Sequence, residues 1–167
     1  EGAILARLRD RTIIASHGEP VDVAGHTGIL LSYANKGTLA QRLRSEGRLS
    51  LETLERWGED LLSAVSYLEQ VAVPHRDIKP ENIMLRKRDG IVKVLDFGLA
   101  KLKDRMVSAV DMEAATRALV NTAPGTVIGT ATYMSPEQAR GLDVDERTDL
   151  WSLGIVLYEM LAGHVPF

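Results

Sequence analysis

Cysteine is absent from the 167 residues, so this chain holds neither a disulfide nor a thiolate metal site. Aromatic residues make up only 5%, which leaves core filling to Leu, Ile, Val and Ala. Positive charge is not in excess. The formal net charge is −3 and no long basic run occurs, which argues against a nucleic-acid surface. Apolar runs are short. The longest, Leu150 to Ala162, is interrupted by Ser152, Gly154 and Glu159 and falls short of a bilayer span. There is no G-x-G-x-x-G, no internal repeat, no low-complexity tract and no linker. The chain opens without a secretory leader and without Met, and it reads as a piece of a longer protein. What is present is ordinary for a soluble domain with a sizeable core: 45% hydrophobic and 26% charged residues.

Local patterns predict the elements. Ile4, Leu5 and Leu8 recur at helical spacing from Glu1. Two short apolar runs, Ile13 to Ala15 and Gly28 to Leu31, flank the polar segment His17 to Thr27, and the spacing predicts a hairpin between them. His17 and His26 fall in that polar segment with no second ligand at metal-binding spacing. Thr38 to Ser45 reads as a short helix stopped by Gly47. Ser50 is an N-cap for a longer helix, whose apolar face carries Leu51, Leu54, Trp57, Leu61, Leu62, Val65 and Leu68. Ile83-Met84-Leu85 and Val92 to Leu95, joined across Arg88-Asp89-Gly90, predict a second hairpin. Lys101 to Leu119 forms a short helix or stays without one. The last helix runs from Asp149 to about Ala162, with Gly163 as its stop. It is apolar on nearly every side, which predicts full burial.

The stretch that carries chemistry is His75-Arg76-Asp77-Ile78-Lys79-Pro80-Glu81-Asn82. An aspartate can accept a hydroxyl proton, and a lysine two residues on can neutralise charge on a phosphoryl group. An asparagine five residues on can hold a metal ion through its side-chain oxygen. The bland alternative is a solvated turn between a helix and a strand. Against it stands Asp96-Phe97-Gly98 at the end of the second predicted hairpin, which delivers Asn82 and Asp96 to one cleft. Two oxygen ligands beside nucleotide phosphates suit Mg²⁺, with Mn²⁺ as an alternative.

H-R-D-x-K-x-x-N followed by D-F-G resembles the catalytic pattern of Hanks-type (eukaryotic-like) serine/threonine protein kinases. Gly129-Thr130-Ala131-Thr132-Tyr133-Met134-Ser135-Pro136-Glu137 resembles that family's closing motif of the activation segment, with Ser135 for Ala. The run Ser135 to Gly141 is similar to bacterial members. The resemblance implies an α+β, protein kinase-like fold in truncated form: the end of the N-lobe over 1–33, and most of the helical C-lobe over 34–167. It implies ATP and Mg²⁺ as bound species and a protein bearing Ser or Thr as substrate. It implies no nucleic-acid partner and a cytoplasmic setting for the domain, with no membrane segment within this chain.

The resemblance also assigns roles. Asp77, Lys79 and Thr130 are implied as catalytic, and Asn82 and Asp96 as metal ligands. Glu1 corresponds to the glutamate that pairs with a strand lysine, although a surface glutamate on a helix fits it too. Leu31 falls at the gatekeeper position, and the backbone near Ala34 in Ser32-Tyr33-Ala34 meets adenine. Arg76 pairs with a phosphorylated activation-segment residue; of Ser108, Thr116, Thr122 and Thr126, the best placed are Thr122 and Thr126. His75, Phe97, Glu137 and Asp149 are implied as structural, Asp149 by bracing the catalytic-loop backbone. The departures are Pro74, where the family has an aliphatic residue, and the missing glycine-rich loop, V-A-I-K-like strand and C-terminal helices. Two other readings remain: a pseudokinase-like binding or regulatory module, and a small-molecule kinase of the aminoglycoside type. The second fits less well with Arg76, Lys79 and Phe97 present. This piece alone is expected to lack activity, expose apolar surface and be marginally stable.

Overall fold

A computed structural model of the chain describes residues 8–15, 17, 21–23, 26–28, 32, 36–95 and 131–167. The expectations for Glu1, Leu31, Ala34, Asp96, Phe97, Thr122, Thr126 and Thr130, and for a helix within Lys101 to Leu119, lie outside the described residues.

Capping decides where the helices begin. Helix α1 (Leu39–Glu46) follows Thr38, whose hydroxyl accepts from the Gln41 N–H while the Gln41 side chain accepts from the Thr38 N–H. Gly47, at φ 70°, ends it. Helix α2 (Leu51–Gln70) starts at Ser50, whose hydroxyl accepts from Thr53 N. Its buried face is Trp57, Gly58, Asp60, Leu61, Ala64, Val65 and Leu68. Leu51 and Leu62 are exposed, contrary to the sequence expectation. Leu62 lies about 100° around the helix from Leu61, so once Leu61 faces in, Leu62 faces out.

A single 3₁₀ turn, Pro80–Asn82, leads into β3 (Ile83–Leu85), which pairs antiparallel with β4 (Val92–Val94) in the register Ile83↔Val94 and Leu85↔Val92. Gly90, at φ 70°, closes the turn. Short helix α3 (Pro136–Ala139) is boxed by Ser135 and Gln138. Helix α4 (Arg147–Ala162) packs against α2, and its end makes a close approach to the loop after α1. There Gly163 adopts φ 80°, and a Cβ on it would sit 3.0 Å from Arg48 N.

The N-terminal part adds pairings to the expected hairpin. Ile13 forms a parallel bridge with Val94, and a separate ladder, β1 (Val21–Val23) with β2 (His26–Gly28), lies inside the segment read as a connector. The two apolar runs still meet, through Ser32 N donating to Ala15 O at 2.8 Å. The edge of β4, already backed by α2, supplies Ile13 with this partner, and the expected pairing of Ile13 to Ala15 with Ile29 to Leu31 lies outside the described residues. Leu8, Ile13 and Ile14 join one core with α1, α2, the β3–β4 hairpin and α4. Full burial of α4 is likewise corrected. Leu150, Trp151, Tyr158 and Leu161 are exposed, because α2 and the loop before Ile83 cover only one side of it.

Candidate active site

The loop between α2 and the 3₁₀ turn is fixed from below. Asp149, in the first turn of α4 and 2% exposed, accepts from His75 N at 2.6 Å and from Arg76 N at 2.7 Å. Burial pushes its carboxyl above the ordinary carboxylate value, and the two N–H donors pull it part of the way back. Gln138 Nε2 donates to Arg76 O at 2.9 Å, a contact from α3 that sequence reading missed. The loop needs this bracing because two of its non-glycine residues, Ala72 (φ 52°) and Arg76 (φ 67°), are left-handed.

His75 is fully buried and pins the loop to the hairpin. One ring nitrogen, Nε2, lies 2.8 Å from Leu95 O, and the other, Nδ1, lies 3.2 Å from Asp77 N. A carbonyl only accepts and a backbone N–H only donates, so the proton belongs on Nε2 and the ring is neutral. Leu95 N in turn donates to Asn82 O at 2.8 Å. The residue next to Asp96 is therefore bonded to both ends of the loop.

On this frame Asp77, Lys79 and Asn82 converge. Asp77 Oδ2 receives Lys79 Nζ at 2.9 Å and Asn82 Nδ2 at 3.0 Å, and the same Asn82 nitrogen donates to Asp77 O at 2.8 Å. All three side chains are mostly shielded. Charge-assisted bonds in a shielded site are stronger than in water. With its NH₂ spent on Asp77, Asn82 has its side-chain oxygen left, a hard donor that fits Mg²⁺. Among the described residues no group of three or more His, Asp or Glu forms a metal cage. Arg76 Nε is buried and finds no hydrogen-bond partner among the described residues.

Further polar groups bond to one another between α4 and the residues just before α3. Tyr133 donates to Glu159 Oε2 at 2.6 Å, and burial, with that bond second, holds its phenol far above the ordinary value. Thr148 and Ser152 bond to Ser135 Oγ and Tyr133 O. Glu137 is exposed on α3. His17 is exposed too, with its ring nitrogen 2.7 Å from Ser32 Oγ. Sequence reading also missed Asp60, although a charge on the apolar face of α2 was a visible signal.

The protein kinase domain model matches residues 1–167, and the chain belongs to the protein kinase family. It is 45% identical over 139 residues to a probable serine/threonine-protein kinase PknB of Bifidobacterium longum, covering 83% of this chain and 18% of that protein. It is 44% identical over 142 residues to the serine/threonine-protein kinase pkn3 of Myxococcus xanthus, covering 83% of this chain and 24% of that protein. With serine/threonine-protein kinase PknL of Mycobacterium tuberculosis it shares 34% identity over 167 residues, covering 100% of this chain and 38% of that protein. The chain thus spans well under half the length of these relatives.

Proposed function

We propose that the full-length protein is a serine/threonine protein kinase that moves the γ-phosphoryl group of ATP to a Ser or Thr hydroxyl of a protein substrate. The observation that carries this reading is the shared Asp77 oxygen: Lys79 Nζ and Asn82 Nδ2 both reach Oδ2, at 2.9 and 3.0 Å, on a loop braced by Asp149. In this reading Asp77 orients the incoming hydroxyl and takes its proton as the new P–O bond forms and the bond to the ADP oxygen breaks. Lys79 offers its charge to the oxygens of the group in transfer. Asn82 Oδ1, together with Asp96, would hold Mg²⁺ or Mn²⁺. When bound, the ion neutralises phosphate charge and fixes its orientation.

The remaining assignments extend the same reading. Under it Thr130 is assigned to act with Asp77 and Lys79, Leu31 and the backbone at Ala34 to adenine, and Glu1 to a strand lysine. Arg76, whose buried Nε has no hydrogen-bond partner among the described residues, is assigned to receive a phosphorylated Thr122 or Thr126. Phe97 and Glu137 support the segment between them. The lobes divide at 33/34, and the domain works in the cytoplasm.

The test uses the full-length protein, Mg²⁺, labelled ATP and a mixed protein substrate. Asp77→Asn lowers kcat by about a thousandfold, within the range for loss of a positioned base, while folding is retained. A variant that phosphorylates at the parent rate overturns the assignment.

A further inference from the structure

A carboxylate at the centre of an apolar helix face is costly unless it is fully partnered. Asp60 occupies such a position on α2, between Trp57 and Leu61, with its side chain 4% exposed. Each of its oxygens is spent on a different element. Oδ2 accepts from Val92 N at 3.1 Å, the first N–H of β4. Oδ1 accepts from Arg11 Nη2 at 2.8 Å, on the segment that leads to Ile13. That segment then runs along β4. Val94 N donates to Thr12 O at 2.8 Å, Ile14 N donates to Val94 O at 3.0 Å, and Lys93 Nζ donates to Ile13 O at 3.1 Å. At its far end the strand passes into Leu95, whose N–H bonds to Asn82 O and whose carbonyl meets the His75 ring. The strand is thus a bar held at one end by Asp60 and Arg11 and touching the loop of Asp77 and Asn82 at the other.

We propose that Asp60 is a positioning residue, which with Arg11 sets the placement of β4 and through it the placement of Asn82 for the Mg²⁺–nucleotide. An apolar residue at 60 would pack on Trp57 and Leu61 without satisfying Val92 N–H or holding Arg11. A carboxylate does both, and it links α2, β4 and residues 11–14 at one point. A strand without that fixed start is free to shift against its partner, and a shift of β4 carries the Leu95–Asn82 bond with it. The inference rests on the kinase reading for what Asn82 holds, and on geometry alone for the coupling.

The experiment compares the parent full-length protein with Arg11→Gln, Arg11→Lys and Asp60→Asn. It measures amide hydrogen exchange at Val92 and Leu95, and calorimetric binding of a non-hydrolysable ATP analogue with Mg²⁺. Arg11 is largely exposed, so Arg11→Gln keeps the fold even where Asp60→Asn does not. The expected result for Arg11→Gln is exchange at Leu95 faster by about tenfold and analogue affinity weaker by about tenfold, the low end for loss of an outer-shell partner. Arg11→Lys recovers both, and exchange in the middle of α2 stays at the parent rate. Parent-like exchange at Leu95 in Arg11→Gln overturns the proposal, and so does faster exchange with unchanged affinity, which reduces Asp60 to a structural role. A parent protein that binds no Mg²⁺–analogue removes the kinase reading instead, and the exchange at Leu95 still decides the coupling.

Discussion

The side of α4 that carries Asp149, Ser152, Val156 and Met160 is sealed against the catalytic-loop region and α2, whereas the side with Leu150, Trp151, Tyr158 and Leu161 faces out. The outward side borders a groove of about 300 Å³ between Leu150, Ile155 and Phe167, where the Trp151 and Phe167 rings stack at 6.0 Å. By sequence the outward side is at least as apolar as the sealed one, which carries Asp149 and Ser152. They differ in what the tertiary structure brings to them. One meets a carboxylate-braced loop and a helix, and the other, among the described residues, meets Pro166 and Phe167. Hydrophobicity around a helix therefore gives its capacity for burial, not the direction in which burial occurs.

The largest effect expected from breaking this contrast is at Asp149. Asp149→Ala strips two buried N–H groups of their acceptor and costs about 2–5 kcal/mol by denaturant titration, while Asp149→Asn, with one acceptor oxygen retained, costs roughly half as much. The pH dependence gives a second measure. Burial raises the native carboxyl above its ordinary value of 3.8, so just above that pH the folded chain holds a proton that the unfolded chain has released. The contribution of this group to stability therefore falls as pH rises through the window. Asp149→Asn removes that slope, and a slope that persists unchanged in the variant assigns it to another group.

A paired substitution sharpens the contrast on one helix. Met160, fully buried, and Leu161, 48% exposed, are neighbours of similar volume. In the 167-residue chain Met160→Ala costs about 2–5 kcal/mol. Leu161→Ala costs about 0.5 kcal/mol or less. Equal losses at the two positions, read from thermal or urea midpoints, mean that the outward side is covered in solution.

The smallest effect concerns the strained entry to the loop. Ala72 is exposed and sits at φ 52°, so Ala72→Gly relieves a left-handed penalty and stabilises by up to about 1 kcal/mol. The same change in the middle of α2, Ala64→Gly, destabilises instead, as both a helix glycine and a core cavity. Denaturation midpoints that move the same way for both glycines contradict the left-handed conformation at 72.

Local signals were legible where the chemistry that makes them is local. Thr38, Ser50 and Gly163 marked helix ends because a cap bonds within its own turn. The β3–β4 hairpin was legible because a tight turn joins its strands. Not legible was the bridge from Ile13 to the edge of β4, which lies far along the chain. The β1–β2 ladder was hidden as well. Val21-Asp22-Val23 alternates for only three residues, too short to stand out among the glycines around it. At the site, the spacing in His75 to Asn82 named Asp77, Lys79 and Asn82 before any coordinates. Gln138 on Arg76 O, and Asp60 between Arg11 and Val92, link segments distant in sequence that share no pattern.

By itself the sequence determined the membership of this chain in its family, the start of α2 and the end of α4, and which side chains one loop can present together. These depend on backbone preferences and on spacings of a few residues, which the chain carries wherever it is placed. Only the tertiary structure decided which side of α4 is covered, which nitrogen of His75 holds the proton, and which strand Ile13 joins. Each of those depends on a partner supplied by a remote segment, and the free energy of burying a group belongs to the pair and not to the residue alone.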